Sequence, residues 1–181
     1  MARPKVHDAA LRERLLERAG ALLSDGGTDA LSLRTLAQDC GTSTTAVYAL
    51  FGGKPALLEV LRGGAVRRLT ERLAAVEPGP DPVEHLARLA LAYRAAALDD
   101  PHLYEVMVAA PPAADALAPL ADGVRRAVEA QALRTDADPP TVALAVLGLV
   151  HGLVILELRG LTTAATVTAA LRAALDGWRR A

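Results

Sequence analysis

The stretch LSLRTLAQDCGTSTTAVYALFGGKPALLEVL, Leu31–Leu61, reads as two short helices around one tight turn, followed by the start of a longer helix. Ser32 is a good N-cap, and Leu33, Leu36 and Ala37 fall on one helical face, so the first helix spans about eight residues and ends at Cys40-Gly41. Gly41 permits a sharp turn, and a second helix follows over about Ser43 to Leu50, closed by Gly52-Gly53. Lys54-Pro55 then opens a third, because proline at the first helical position forfeits no hydrogen bond. A short helix, a glycine turn and a helix too polar to be core form the helix-turn-helix pattern, whose second helix presents its outer face to the major groove. Thr42, Ser43, Thr44 and Thr45 are small donors and acceptors suited to phosphate and base edges. Ser43 serves equally well as a cap, and the two roles are compatible.

Outward from this stretch, stop and start signals recur at helix-length intervals. Leu11, Leu15, Ala19 and Leu22 share a face of a helix over about Asp8 to Ser24 that stops at Gly26-Gly27. The helix from Lys54 continues through Leu57, Leu58, Leu61 and Leu69 to about Val76. EPGPDP, Glu77–Pro82, is the clearest boundary; Asp81, Pro82 and Glu84 look like a cap, a first-turn proline and a capping-box acid, opening a fifth helix to about Leu98. Asp100-Pro101 opens a sixth, which Pro111-Pro112 breaks, and a seventh runs from about Asp115 to Leu133. Asp138-Pro139 opens an eighth to about Arg159, and Thr162 or Thr163 caps a ninth. The expected fold class is all-α, with about nine helices and no strand signal.

Composition agrees. The apolar fraction is 52%, supplied mainly by Ala, Leu and Val. The lone Cys40 excludes an internal disulfide and a cysteine-based metal cage, and no signal-peptide pattern is present, so a cytoplasmic location is expected. The run from Val142 to Leu156, broken by His151, is shorter than the roughly 20 residues a membrane crossing needs and reads as a buried helix. Residues 1–72 hold 11 Lys and Arg against 8 Asp and Glu, while the remainder holds 9 against 13. The basic side thus lies with the helix-turn-helix, as expected of a nucleic-acid end on a more acidic body. Arg3 and Lys5 form a small basic arm ahead of the helices, suited to the minor groove or to no role at all.

The quoted stretch resembles the amino-terminal domain of TetR-type transcriptional regulators: an apolar-Thr/Ser-x-x-x-Ile/Leu-Ala helix, a Gly-Val-Ser-like turn, Tyr-x-x-Phe and Lys-x-x-Leu. With the helix before it, the resemblance covers about residues 9–61 in correct order and spacing. It implies that Arg34 on the positioning helix touches phosphate or a base edge, and that Thr44 and Thr45 enter the groove. It also implies that the Tyr48 hydroxyl meets the DNA backbone while its ring packs below, that Lys54 anchors phosphate, and that Phe51 plugs the three-helix core. Ala49-Leu50 and Gly52-Gly53 depart from the family pattern, which puts base reading there and the firmness of the Lys54 loop in question.

The same resemblance implies three parts: a helix-turn-helix head at 1–53, a connecting helix at 54–76, and an effector-binding and dimerisation domain at 77–181. TVALAVLGLVHGLVILELRGL, Thr141–Leu161, is apolar around its whole circumference, so one neighbour cannot cover it. Gly148, Gly152 and Ile155 on the eighth helix, with Leu171, Leu175 and Trp178 on the ninth, are the expected dimer interface. The same segment is similar to a TetR subclass marked by Trp-His-Gly, although Val150 occupies the tryptophan place and only His151 and Gly152 match. Tyr93, Tyr104, Met107 and His151 are candidate linings for a small-molecule effector, with core packing as the competing use. Pro111-Pro112 suggests a loop that gates an entrance, and Gly63-Gly64 a hinge or a close packing contact in the connecting helix.

The expected protein is therefore a homodimeric, ligand-responsive repressor of double-stranded operator DNA, with no cofactor, metal or membrane partner. An enzyme finds no support: His7, His85, His102 and His151 lack metal-ligand partners at useful spacing, and no serine has a nucleophile-elbow context. A helical interaction protein that keeps the fold but has lost specific operator binding is the alternative.

Overall fold

The computed structural model describes residues 5–109 and 117–180, with side chains from residue 9. Among these residues the elements are α1 (Lys5–Ala30), α2 (Leu33–Asp39), α3 (Thr44–Phe51), α4 (Lys54–Ala74), α5 (Pro82–Asp99), α6 (Pro101–Val108), α7 (Ala118–Glu129), α8 (Pro139–Leu158) and α9 (Ala164–Trp178). The only non-helical pairing described is a single antiparallel bridge, Leu133 to Arg179. Arg3, the Pro111-Pro112 loop and the expected start of α7 at Asp115 lie outside the described residues, as does the side chain of Lys5.

The boundaries are chemical. Ser32, Ser43, Asp100, Asp138 and Thr163 each accept from the N–H three residues on, at 3.5, 3.1, 2.9, 3.2 and 3.3 Å. Asp81 does the same for α5 through the amides of Val83 (2.9 Å) and Glu84 (3.3 Å). Each such bond satisfies an amide that the first helical turn would otherwise leave unpaired. Glu84 does not complete a capping box; its carboxylate turns instead to Arg172 on α9, at 3.1 and 3.3 Å. The helical conformation of α1 breaks at Gly26 and Gly27, where Gly27 has φ 68°, and one further turn follows before Leu31.

By its contacts the chain forms two compact units: Met1–Val66 with Asp100–Pro111, and Arg67–Asp99 with Pro112–Ala181. This division passes through α4 and assigns α6 to the unit that holds the helix-turn-helix, so it runs differently from boundaries placed at residues 53 and 76. Sequence order hides that choice, because α6 follows α5 directly while its packing partner is α1.

In the first unit Leu15, Ala19, Leu22, Leu31, Leu36, Ala37, Val47, Phe51 and Leu57 form one apolar core. The guanidinium of Arg12 stands 5.3 Å from the centre of the Phe51 ring, close enough for a cation–π contact. Arg18 and Asp39 bridge α1 and α2 at 2.7 Å. At the end of α1 the His102 Nδ1–H donates to the carbonyl of Ser24 at 2.7 Å, and the Ser24 hydroxyl donates to Asp100. A side chain at Gly27 would stand 3.4 Å from the His102 ring, in addition to the positive φ that disfavours one.

The second unit is built around α5, which buries Val83, Leu86, Leu89, Ala90, Tyr93 and Ala97 and packs against α7, α8 and α9. Gly123 lets α7 approach: a Cβ there would lie 2.7 Å from a Leu89 methyl. The chain end is tied down by backbone bonds from Arg134 N–H to the Trp178 carbonyl (2.6 Å) and from Arg180 N–H to the Ala132 carbonyl (2.9 Å).

One expectation about α8 fails. The helix has 20 residues and a mean hydropathy of 2.2 over its most apolar window, so it is long and apolar enough to cross a membrane, and it is not buried all round. Val142, Val146, Val150 and Val154 are buried, whereas Leu144 is 70% and Leu156 43% exposed and Gly148 and Gly152 are open. Two rows with i, i+4 spacing, offset by two residues, lie on opposite sides of a helix. The chain's own helices cover one of them.

Candidate nucleic-acid interface

Ser43 ends the turn after Gly41, whose φ of 64° only glycine adopts freely, and caps α3 by accepting from Ala46 N–H. With the Ser43 oxygen so used, its expected capping role is met. Val47 and Phe51 anchor the inner side of α3, which leaves Thr44, Thr45, Tyr48 and Ala49 exposed on its outer side. Thr42 is half-buried in the turn. Arg34 on α2 is exposed. The outer side of α3 therefore offers two hydroxyls and a phenol, and no carboxylate, to a polyanion.

Tyr48 differs from the expectation in one respect. It is 57% exposed and outside the apolar core, with Gly53 next to its ring edge. An alanine at Gly53 would place a methyl 3.5 Å from that ring in a backbone with φ 134°. A methyl at that distance is ordinary contact, so what calls for the glycine pair is the backbone, with φ 81° at Gly52 and 134° at Gly53. Phe51 alone of the two rings serves the core.

Lys54 is half-buried, and its ammonium donates to the carbonyl of Thr28 at 2.6 Å, joining the start of α4 to the last turn of α1, beyond its glycine break. One of its three donors is therefore already used inside the head, and two remain for an anion.

In the second unit the Tyr93 hydroxyl and His151 Nδ1 are 3.4 Å apart, so two of the four expected effector-lining residues meet between α5 and α8. Below them Arg94 and Glu157 form a two-pronged ion pair, Nε to Oε2 at 2.6 Å with a second bond from Nη2 to Oε1, and both side chains are largely covered. Tyr104 and Met107 belong to α6 in the first unit; Tyr104 is buried and Met107 half-buried. Leu171 and Leu175 are each 1% exposed and face the protomer's own core, which removes them from the expected dimer interface. Trp178 and Ile155 are half-buried, and Gly148 and Gly152 have open space where a side chain would stand.

His85 was not singled out for a binding role by the sequence, yet it is 3% exposed, and no other histidine, acid or base among the described residues is buried to that extent. Its Nε2–H donates to the Val76 carbonyl at 3.2 Å, and its Nδ1 accepts from Arg126 Nη2 at 3.2 Å. Those partners require the neutral ring with its proton on Nε2. Burial, with the charges of Arg126 and Arg88 beside it, pushes the His85 pKa down.

Residues 15–61 match the profile described as bacterial regulatory proteins, tetR family, and residues 86–177 match that described as tetracyclin repressor-like, C-terminal domain. A protein of unknown function from Rhodococcus sp. RHA1 is 30% identical with a TM-score of 0.79, the alignment covering 94% of this chain and 96% of that one. The TetR family transcriptional regulator PfmR from Thermus thermophilus is 25% identical with a TM-score of 0.63, covering 90% and 95%. A TetR variant from Acinetobacter baumannii AYE in complex with minocycline is 24% identical with a TM-score of 0.64, covering 90% of each chain, which shows the shared fold. Comparison with curated protein sequences returned no match.

Proposed function

Because the chain belongs to the tetR family of bacterial regulatory proteins, a family of non-enzymatic DNA-binding transcription regulators, we propose that it acts as a homodimeric repressor released from a near-palindromic operator by a small-molecule effector. The observation that carries the DNA half is the outer face of α3, where Thr44, Thr45 and Tyr48 stand exposed, with Arg34 exposed on the preceding helix. Small hydroxyls permit close approach to bases and phosphates, and basic side chains supply the sequence-independent attraction. Ala49 offers only a methyl at the far end of the helix, suited to a thymine methyl rather than to a hydrogen-bonding base edge.

Dimerisation follows from α8 and α9 together. The row Leu144, Gly148, Gly152, Leu156 on α8 is exposed, and so is the row Ala165, Ala169, Ala173, Gly177 on α9, each opposite a buried row on the same helix. An apolar or small-residue face left open on a long helix is covered by a second copy, and a dimer also supplies the second recognition helix that successive major grooves demand. Effector release is supported by the ligand-bound relative of the same fold and by the polar pairs inside the second unit.

The test is retention of the protein on DNA from upstream of its own gene, compared with scrambled DNA, over a salt series. Sequence-specific, salt-sensitive binding is expected. Equal, weak binding to both would favour an interaction protein that has kept the fold, a reading that the internal engagement of Lys54 and the bare Ala49 make specific.

A further inference from the structure

His85 lies on the wall of a cavity of about 230 Å³ bounded by the end of α4, the segment after it, α5 and α7. Leu73, Val76, Pro78, Leu89 and Pro119 give it apolar sides, while His85, Arg126 and Asp122 give it one polar side. Around that side Arg125, Arg126 and Arg88 stand against the two carboxylates of Asp122 and Glu129, which leaves one positive charge in excess. Asp122 is engaged by Arg125 at 3.1 Å, and Arg125 is also the partner of Glu129 at 3.3 Å. Arg126 has no carboxylate partner among the described residues and spends one N–H on the neutral ring of His85. Arg88 adds a second positive charge near His85; its guanidinium lies over Gly79, where a Cβ would come within 2.8 Å of it.

We propose that this cavity binds a small organic acid, its apolar body against Leu73, Val76 and Leu89 and its carboxylate on the Arg126 guanidinium. A planar guanidinium with free donors recognises a carboxylate through paired hydrogen bonds. His85 acts as a positioning residue: its buried ring holds Nη2 of Arg126 from one side and turns the remaining donors of the fork toward the cavity. A neutral ligand of the same shape leaves the arginine charge uncompensated and gains only the apolar contacts. A cationic one is repelled by Arg126 on the cavity wall. The inference deepens the effector half of the function proposed above, and rests on it only for the step from binding to operator release.

Calorimetric titration of the full chain with butanoate, hexanoate, octanoate and benzoate, alongside hexan-1-ol and hexylammonium, tests it. At least one carboxylate is expected to bind with an affinity tenfold or more above the alcohol and the amine. Arg126→Met is expected to remove that preference while leaving the alcohol unchanged, and Arg126→Glu to shift it toward hexylammonium; because both variants take the donor from the buried His85 Nδ1, a thermal melt of each accompanies the titration to show that it is folded. His85→Gln is expected to weaken the carboxylate less than Arg126→Met does. Carboxylates that bind no better than the alcohol, no binding by any probe, or a preference that survives Arg126→Met would overturn the proposal. Operator retention measured on the same samples separates the two readings: a bound carboxylate that leaves the operator in place keeps the site and removes its effector role, whereas absent binding with intact operator retention removes the site alone.

Discussion

At the scale of single residues, Lys54 and His85 both do something that their position in the sequence does not announce. The motif marks Lys54 as a phosphate anchor, but a hydrogen bond to a carbonyl 26 residues earlier leaves no trace in local spacing. Its removal is expected to have two separable effects. Lys54→Met should weaken binding to all DNA sequences alike and lower the salt slope by about one, because one phosphate contact is lost. It should also cost about 1 kcal/mol of stability, the net worth of an ordinary internal hydrogen bond, read from a denaturant melt. A normal slope with a weakened fold would make Lys54 a purely internal strut. For His85 the direction is set by burial and then by Arg126 and Arg88, which together push its pKa below that of the unfolded chain. As pH falls below the ordinary histidine range the unfolded chain takes up a proton that the folded protein refuses, so this contribution to stability is present above that range and declines on acidification. His85→Gln is therefore expected to flatten the fall in stability between about pH 6.5 and the lower folded value; an unchanged acid limb would mean that the ring titrates freely.

At the scale of elements, the helix starts were legible because caps are local chemistry: Ser32, Ser43, Asp100, Asp138 and Thr163 each bind an amide three residues away. The partner of an element was not legible, and α6 is the clearest case. Its anchors, His102 on Ser24 and Asp100 on Ser24, span more than seventy residues. Leu171 and Leu175 of α9 were expected at a dimer interface, and that they lie inside the protomer was illegible for a related reason. Alanine and leucine both count as apolar, and nothing local shows that Leu171 and Leu175 turn to the protomer's own core while Ala169 and Ala173 turn out. The glycine pair of α4 is now sharper. Gly63 is helical and exposed, and a Cβ there meets nothing within 4 Å, so close packing does not explain it. Gly63→Ala should raise stability by about 1 kcal/mol, the helix-propensity difference. If the glycine serves as a hinge between operator-holding and released forms, the same substitution should also reduce the effector's weakening of operator binding, a coupling that typically amounts to about 1–3 kcal/mol. A more stable protein with full coupling would leave Gly63 without a hinge role.

At the scale of the whole molecule, the sequence of α8 shows that one neighbour cannot cover it, while only the structure shows which of its sides is left open. Four valines spaced by four residues are taken up within the second unit, and the opposite row of Leu144, Gly148, Gly152 and Leu156 is open, the face on which the proposed dimer would pack. The glycines matter at that surface because they let a second backbone approach closely, and a charge placed among them would be desolvated without a partner. Leu144→Glu is accordingly expected to leave the protomer folded, since Leu144 makes no part of its core. It should shift the protein from dimer to monomer in sedimentation equilibrium. The consequence for DNA is the more discriminating measurement. A monomer carries one α3, so affinity for a full palindrome should fall toward that for a half-site, while the half-site affinity itself stays the same. A Leu144→Glu protein that remains dimeric, or one that loses half-site binding as well, would show that the open face of α8 is not where two copies meet.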